Sequence, residues 1–160
     1  MQFTRRDLCT LIPAALVPGA LAIQALAAAQ GTAPGAAAAA PATLIQSGSY
    51  PWDSLVPHTA ANGASTARAI FKGKLATGES VEVHETTLAV GGTPHPPHHH
   101  PHSEMWLVRE GTVEIMVNGK SYQIGPGGAG FAASNDEHGV KNAGDTPATY
   151  FVVAIGPTAV

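Results

Sequence analysis

The sequence predicts an all-β protein with one folded domain, and three observations lead to this fold class. From about residue 67 onward, apolar residues alternate with polar ones at a period of two, which is typical of strands. Gly, Pro and Asn interrupt this alternation at short intervals, as turns do. A chain of 160 residues has room for one domain of ordinary size. We therefore expect a sandwich, a jelly roll or a barrel.

Eight or nine short strands are predicted in the folded part, and no stretch predicts an amphipathic helix. Thr77-Gly78 is a turn between the first two strands. Asn118-Gly119 is the strongest hairpin signal, because a type I′ turn needs positive φ at both central residues. The predicted strands are Ala67–Leu75, Ser80–Leu88, Met105–Arg109, Thr112–Val117, Lys120–Ile124, Ala129–Ala133, His138–Asn142 and Ala148–Ile155.

Residues 1–29 have the features of a cleavable export signal. Arg5 and Arg6 precede an apolar stretch that ends in small residues. The arginine pair resembles a twin-arginine signal, and a Sec signal is the alternative. A membrane anchor is less favoured because prolines interrupt the apolar stretch. We expect a protein exported to the periplasm or beyond the cell, with no membrane attachment after cleavage.

Two further segments precede the predicted barrel domain, which spans residues 67–158. Residues 30–43 are almost entirely Ala, Gly, Pro and Thr, so we predict a disordered linker. Residues 44–66 predict an extended segment that wraps the barrel, with Trp52 closing one end.

Composition restricts the partners and the chemistry. Charged residues make up 12% of the chain and the net charge is -3, so no basic stripe for nucleic acid is present. The expected partner is a small molecule. Cys9 is the only cysteine and lies in the predicted signal, which excludes a disulfide framework or a thiolate metal site in the mature protein.

The spacing of three residues predicts a metal site. His98 and His100 are two apart, and Glu104 follows four residues later. On an extended chain these side chains project from one face. Two imidazole nitrogens and one carboxylate oxygen suit a divalent ion. His138 is distant in sequence, but the predicted hairpins can return its strand alongside as a fourth ligand.

These residues resemble the first motif of the cupin superfamily. Gly92, His98, His100, Glu104 and Gly111 reproduce its spacing without a gap. The resemblance implies a single cupin-type double-stranded β-helix, a jelly-roll barrel. It also implies one divalent ion, which can be Fe, Mn, Ni, Cu or Zn.

The second cupin motif matches in spacing and departs at two positions. Gly127, His138 and Asn142 lie where the motif requires them. Ala133 stands where the family has Pro, and Asn135 where it has Gly. Asn adopts the left-handed region more readily than most residues, so we expect the turn before His138 to be kept.

An exposed histidine-rich tract that binds metal adventitiously is the alternative to this site. It explains neither Glu104 nor the distant match at His138. Among the remaining histidines, alternation directs His99 away from the site. The others are expected at the rim, where they can orient a ligand, or in ordinary structural roles: His95, His102, His58 and His84.

Two classes of function follow from the site and the resemblance. Four ligands leave open positions on the ion, as in catalytic sites, and the resemblance favours a dioxygenase or an isomerase acting on a small oxygen-bearing molecule. A non-enzymatic periplasmic module that binds a metal or small ligand is the alternative. An inward carboxylate or tyrosine within hydrogen-bond reach of the open position would favour the enzyme. A wall lined only by apolar residues would favour binding: Met116, Val108, Trp106 and Phe131. No catalytic base is identified, because the candidates are expected to face solvent: Glu82, His84, Glu85 and Glu114.

Apolar residues on both faces of some predicted strands indicate that a second subunit covers part of the surface. Val113, Ile115 and Val117 alternate with Met116 in one such strand. We expect a homodimer, which the family resemblance also implies.

Overall fold

The computed structural model describes residues 43–157. The predicted export signal and residues 30–42 of the predicted linker lie outside the described residues. Within residues 43–157 we find no helix with the length and apolar character needed to span a membrane. The helical structure in this part of the chain is a single 3₁₀ turn, Trp52–Ser54.

The described part of the chain forms nine strands, all paired antiparallel. They are β1 Pro57–Thr59, β2 Ser65–Lys74, β3 Ser80–Leu88, β4 Ser103–Glu110, β5 Val113–Val117, β6 Lys120–Ile124, β7 Ala129–Ala132, β8 His138–Asn142 and β9 Ala148–Ile155. One sheet has the order β1-β2-β3-β9-β4-β7 and the other the order β6-β5-β8. The predicted all-β fold is confirmed.

Side chains from both sheets form one hydrophobic core. Trp106 on β4 and Tyr150 on β9 are among the largest fully buried side chains. From the smaller sheet, Val113, Ile115 and Val140 pack into the same cluster. Because alternate residues of a strand face opposite sides, the even-numbered residues from Glu104 to Val108 of β4 and from Ala148 to Val152 of β9 line the interior.

The turns follow the predicted chemistry. Asn118 and Gly119 have φ of 48° and 76°, as a type I′ hairpin between β5 and β6 requires. Asn135 has φ of 65°, so the left-handed turn before β8 is kept without the family's glycine. The backbone N–H of Asn135 donates to the carbonyl of His100 at 2.9 Å. This turn therefore brings β8 to the histidine segment.

Trp52 does not close an end of the fold, and that prediction was wrong. Its side chain is 47% exposed. The guanidinium of Arg68 lies 4.2 Å from the centre of its ring, and that of Arg109 lies at 5.6 Å. A cation over the face of an indole is attracted by the ring's negative face. This attraction holds Trp52 on the outside of the six-stranded sheet.

Candidate metal centre and adjacent cavity

The backbone brings His98 beside His138. The N–H of His98 donates to the carbonyl of His138 at 3.0 Å, and the N–H of His138 donates back to His98 at 2.8 Å. The two rings lie 4.8 Å apart, centre to centre, and His100 lies 5.0 Å from His98 and 4.5 Å from His138. One ring nitrogen of each histidine lies within 4.8 Å of the other two. The structure thus gathers the three histidines that the sequence placed in one site.

Glu104 lies against two of these histidines. Its Oε2 is 3.0 Å from Nε2 of His100 and 3.1 Å from Nε2 of His138. Glu104 is on β4, where it pairs with Ala132 of β7 and Ala154 of β9. Small residues at both neighbouring positions leave room for the carboxylate on the inner face of the sheet.

The hydrogen bonds made by Nδ1 of His100 and of His138 determine whether Nε2 of each ring can bind an ion. Nδ1 of His100 donates to the carbonyl of His102 at 3.0 Å, and Nδ1 of His138 donates to the carbonyl of Asp136 at 2.8 Å. A carbonyl can only accept, so each neutral ring carries its proton on Nδ1 and a lone pair on Nε2. Two nitrogen lone pairs and a carboxylate oxygen then point at one another. Such a set is stable only with a proton or a cation among them, so these residues fit a divalent ion.

His98 adds a further sign that the site suits a cation. Its Nδ1 is buried and has no hydrogen-bond partner among the described residues. Burial lowers the pKa of His98, and the neighbouring imidazoles of His95, His138 and His100 lower it further. The ring therefore stays neutral near neutral pH and keeps a lone pair for an ion.

The segment between His100 and Glu104 is held by Ser134. Its hydroxyl donates to the carbonyl of Pro101 at 2.6 Å, and its backbone N–H donates to Oγ of Ser103 at 3.2 Å. These bonds come from the turn that precedes His138. One loop therefore positions ligands from two distant parts of the sequence.

Two rim histidines contact the donor set without joining it. His95 meets His98 edge to face, with ring centres 4.3 Å apart. His102 stacks on His100 at 3.4 Å with an interplanar angle of 16°. One donor atom each of His100, His102 and Glu104 also lies within 4.8 Å of the other two. A nitrogen lone pair lies in its ring plane, however, so two nearly parallel stacked rings do not direct theirs at one ion. His102 therefore supports the ring of His100. His99, by contrast, is exposed.

A cavity of about 310 Å³ opens beside Glu104 and His138. Inward residues of five strands and the loop before His98 line it: Ser65, Ala67, His84, Thr86, Pro94, His95, Glu104, Trp106, His138, Gly139, Val140, Tyr150 and Val152. Its volume is at the lower end of the roughly 300–1,000 Å³ of small-molecule sites. A small ligand can therefore contact the donor set and the cavity wall together.

Two polar residues of the cavity were not recognised in the sequence. Tyr150 is 1% exposed; burial and the Glu104 carboxylate raise its pKa, so its hydroxyl stays protonated. Burial lowers the pKa of His84, although the carboxylates of Glu82 and Glu104 oppose this shift. The prediction that His84 faces solvent was wrong. β9 is apolar at nearly every position, so no alternation indicated which residues face inward.

Glu85 was also expected to face solvent, and the structure contradicts this. Its side chain is 2% exposed and accepts a hydrogen bond from Nη1 of Arg109 at 3.0 Å. Glu85 lies on the face of β3 opposite to His84. It stabilises the outer side of the sheet and takes no part in the cavity.

Comparison with known proteins agrees with this geometry. The family model Cupin_2, described as a cupin domain, matches residues 84–154. Residues 84–154 are therefore similar to cupin domains. An L-ectoine synthase from Bordetella petrii is 36% identical to it over 63 residues, which are 38% of this chain. This match spans 47% of the relative's length.

Solved cupin structures share the fold. A predicted oxalate decarboxylase from Thermotoga maritima superposes with a TM-score of 0.58 and 18% identity, covering 68% of this chain and 99% of that one. KdgF from Halomonas sp. gives a TM-score of 0.58 and 14% identity, covering 68% and 94%. An RmlC-like cupin from Shewanella frigidimarina gives 0.54 and 16%, covering 66% and 87%. At these identities the likeness concerns the fold alone.

Proposed function

We propose that this cupin domain binds one divalent metal ion through His98, His100, Glu104 and His138 and acts as a metal-dependent enzyme on a small oxygen-bearing molecule. The observation that carries the proposal is the convergence of two Nε2 lone pairs on Oε2 of Glu104. When bound, the ion would supply Lewis acidity or activate dioxygen. Oxygenation and isomerisation are the reaction classes we favour.

The protein's own residues have separate tasks in this proposal. The carbonyls of His102 and Asp136 hold the Nδ1 protons of His100 and His138 and so keep Nε2 free. Trp106, whose ring centre is 5.5 Å from that of His138, excludes water from one side of the donor set. Tyr150 can donate a proton or a hydrogen bond into the cavity, and neutral His84 can accept one.

An enzyme is favoured over a module that only binds. A wall of apolar residues alone was expected for a binding module, whereas Tyr150 lines the cavity that contains Glu104. The partial likeness to a protein named as L-ectoine synthase also supports an enzyme. The alternative, a metal- or ligand-binding module in the periplasm, predicts ligand binding without turnover. Oxygen uptake and product analysis with the Fe(II)-loaded and Mn(II)-loaded full chain against phenolic and keto compounds would distinguish the two.

Metal titration of two variants tests the ligand set. We expect His138→Ala to weaken Zn(II) binding by more than about 100-fold, because loss of a partner outside the ligand shell alone typically costs 10–100-fold. The control is His99→Ala, which removes an exposed imidazole from the same histidine-rich run and should change the affinity by less than about twofold. Isothermal titration calorimetry at pH 7.5 measures both. Equal losses would mean that the exposed tract binds the metal, and the proposed function would then fail.

A further inference from the structure

The cavity beside the donor set has an unusual charge distribution. The chain has eight Lys and Arg residues; two of them, Arg5 and Arg6, precede residue 43, which leaves six in the described part. None of these six lines the cavity. Three are held elsewhere: Lys72 pairs with Glu82 at 2.6 Å, Arg109 pairs with Glu85, and Arg68 lies over Trp52. Lys74, Lys120 and Lys141 are exposed.

The donor set itself limits the negative charge that a ligand can bring. A divalent ion held by one carboxylate and three neutral imidazoles has a net charge of +1. One anionic group on a ligand would neutralise it. A second anionic group would have no cation within the described wall of the cavity, and an unpaired charge is costly to bury. Phosphate esters, dicarboxylates and sugar nucleotides are therefore poor ligands for this site.

The remaining wall favours a mainly apolar small molecule with hydroxyl or carbonyl groups. The indole of Trp106 and the aliphatic side chains of Val140 and Val152 form its apolar part. Hydroxyl groups of Thr86 and Tyr150 offer both donors and acceptors. Thr86 and Tyr150 are direct partners across β3 and β9, so their side chains lie side by side on the inner face.

We propose that the cavity binds a small, mainly apolar molecule that meets the ion through a hydroxyl or carbonyl oxygen, is uncharged or singly acidic, and makes hydrogen bonds with Tyr150 and His84. This inference rests on the metal site proposed above. It specifies that site's substrate class as phenols and related hydroxy-carbonyl compounds and excludes dianions.

Catechol and phthalate are suitable probes because both place two oxygen-bearing groups at adjacent positions of a benzene ring. Only phthalate carries two full negative charges at pH 7.5. The full chain is loaded with Zn(II), which has no redox chemistry, and calorimetry measures the binding of each probe at pH 7.5. We expect catechol to bind at least tenfold more tightly than phthalate. Equal binding of the two, or tighter binding of phthalate, would overturn the inference.

Variants with matched controls test the two named contacts. Tyr150→Phe and His84→Gln should each weaken catechol binding by about fivefold, the typical effect of one hydrogen bond. Tyr122→Phe alters an exposed tyrosine, and His99→Gln an exposed histidine, so both should leave it unchanged. Zn(II) affinity is measured for every variant. Normal Zn(II) binding with unchanged catechol affinity in both cavity variants would refute the contacts, whereas absence of Zn(II) binding to the wild-type chain would refute the metal site itself.

Discussion

Asn142, the last residue of the second cupin motif, has a structural role whose energy can be predicted. Its side chain is 1% exposed. Nδ2 donates to the carbonyls of Leu88 at 3.2 Å, Ala89 at 3.1 Å and Thr146 at 2.8 Å, and Oδ1 accepts from the N–H of Gly144 at 2.9 Å. One amide therefore joins the end of β3, the end of β8 and the loop before β9.

The cost of Asn142→Ala follows from these contacts. The amide has two hydrogens for three carbonyls, so we count two donated bonds and one accepted bond, each worth about 1 kcal/mol. The carbonyl of Leu88 would remain buried without this partner, which adds about 1–2 kcal/mol. We expect a loss of about 4–5 kcal/mol in the free energy of unfolding. For a domain of this size, that corresponds to a fall in Tm of about 10–20 °C.

Urea unfolding of the metal-free protein, followed by tryptophan fluorescence, measures this loss. Asn62→Ala is the matched control, because the Asn62 side chain accepts one exposed hydrogen bond, from the N–H of Ala64 at 3.0 Å. It should cost less than about 1 kcal/mol. If Asn142→Ala were no more destabilising than this control, the argument from buried hydrogen bonds would be wrong.

Two further predictions concern pH and backbone geometry. Three histidines have pKa values lowered by burial: His84, His98 and His102. As the pH falls, the unfolded chain therefore takes up protons near pH 6.5 before the folded chain does. The metal-free protein should lose stability between about pH 7.5 and 5.5, measured as a fall in Tm. A Tm that rises as the pH falls over this range would contradict the lowered pKa values. In urea unfolding, Gly111→Ala should lower the free energy of unfolding far more than Gly119→Ala does. Equal losses for the two variants would show that the steric clash of a Cβ at Gly111 has no effect on stability. Both glycines have positive φ, but a Cβ at Gly111 would lie 2.6 Å from the carbonyl oxygen of Pro147, whereas a Cβ at Gly119 meets nothing within 4 Å.

The strands were predictable where the two faces of the sheet differ in environment or where a turn limits the register. Lys120–Ile124 follows the Asn118-Gly119 turn, and its predicted bounds match β6. The short strand β1 was missed within the ambiguous segment 44–66. It has three residues and is exposed throughout, so it carries no alternation, and its pairing with β2 determines its conformation.

The candidate site was predictable in part, for a related reason. His98, His100 and Glu104 share one phase of an extended chain, so local spacing was enough to group them. Tyr150 and His84 join them only through the order of strands in the sheet, β3-β9-β4, which a single sequence does not encode locally. The export signal and the homodimer stay predictions.

The pairing of His98 with His138 determines when the proposed metal site would be complete. A growing chain that has not yet produced β8 holds His98, His100 and Glu104 without His138, so it would lack one of the proposed ligands. That ligand is placed only when β8 has docked, because two backbone hydrogen bonds join His138 to His98. Full affinity for the proposed ion would thus be reached only in the completely folded domain. The ion present when β8 docks would then be the one that is retained.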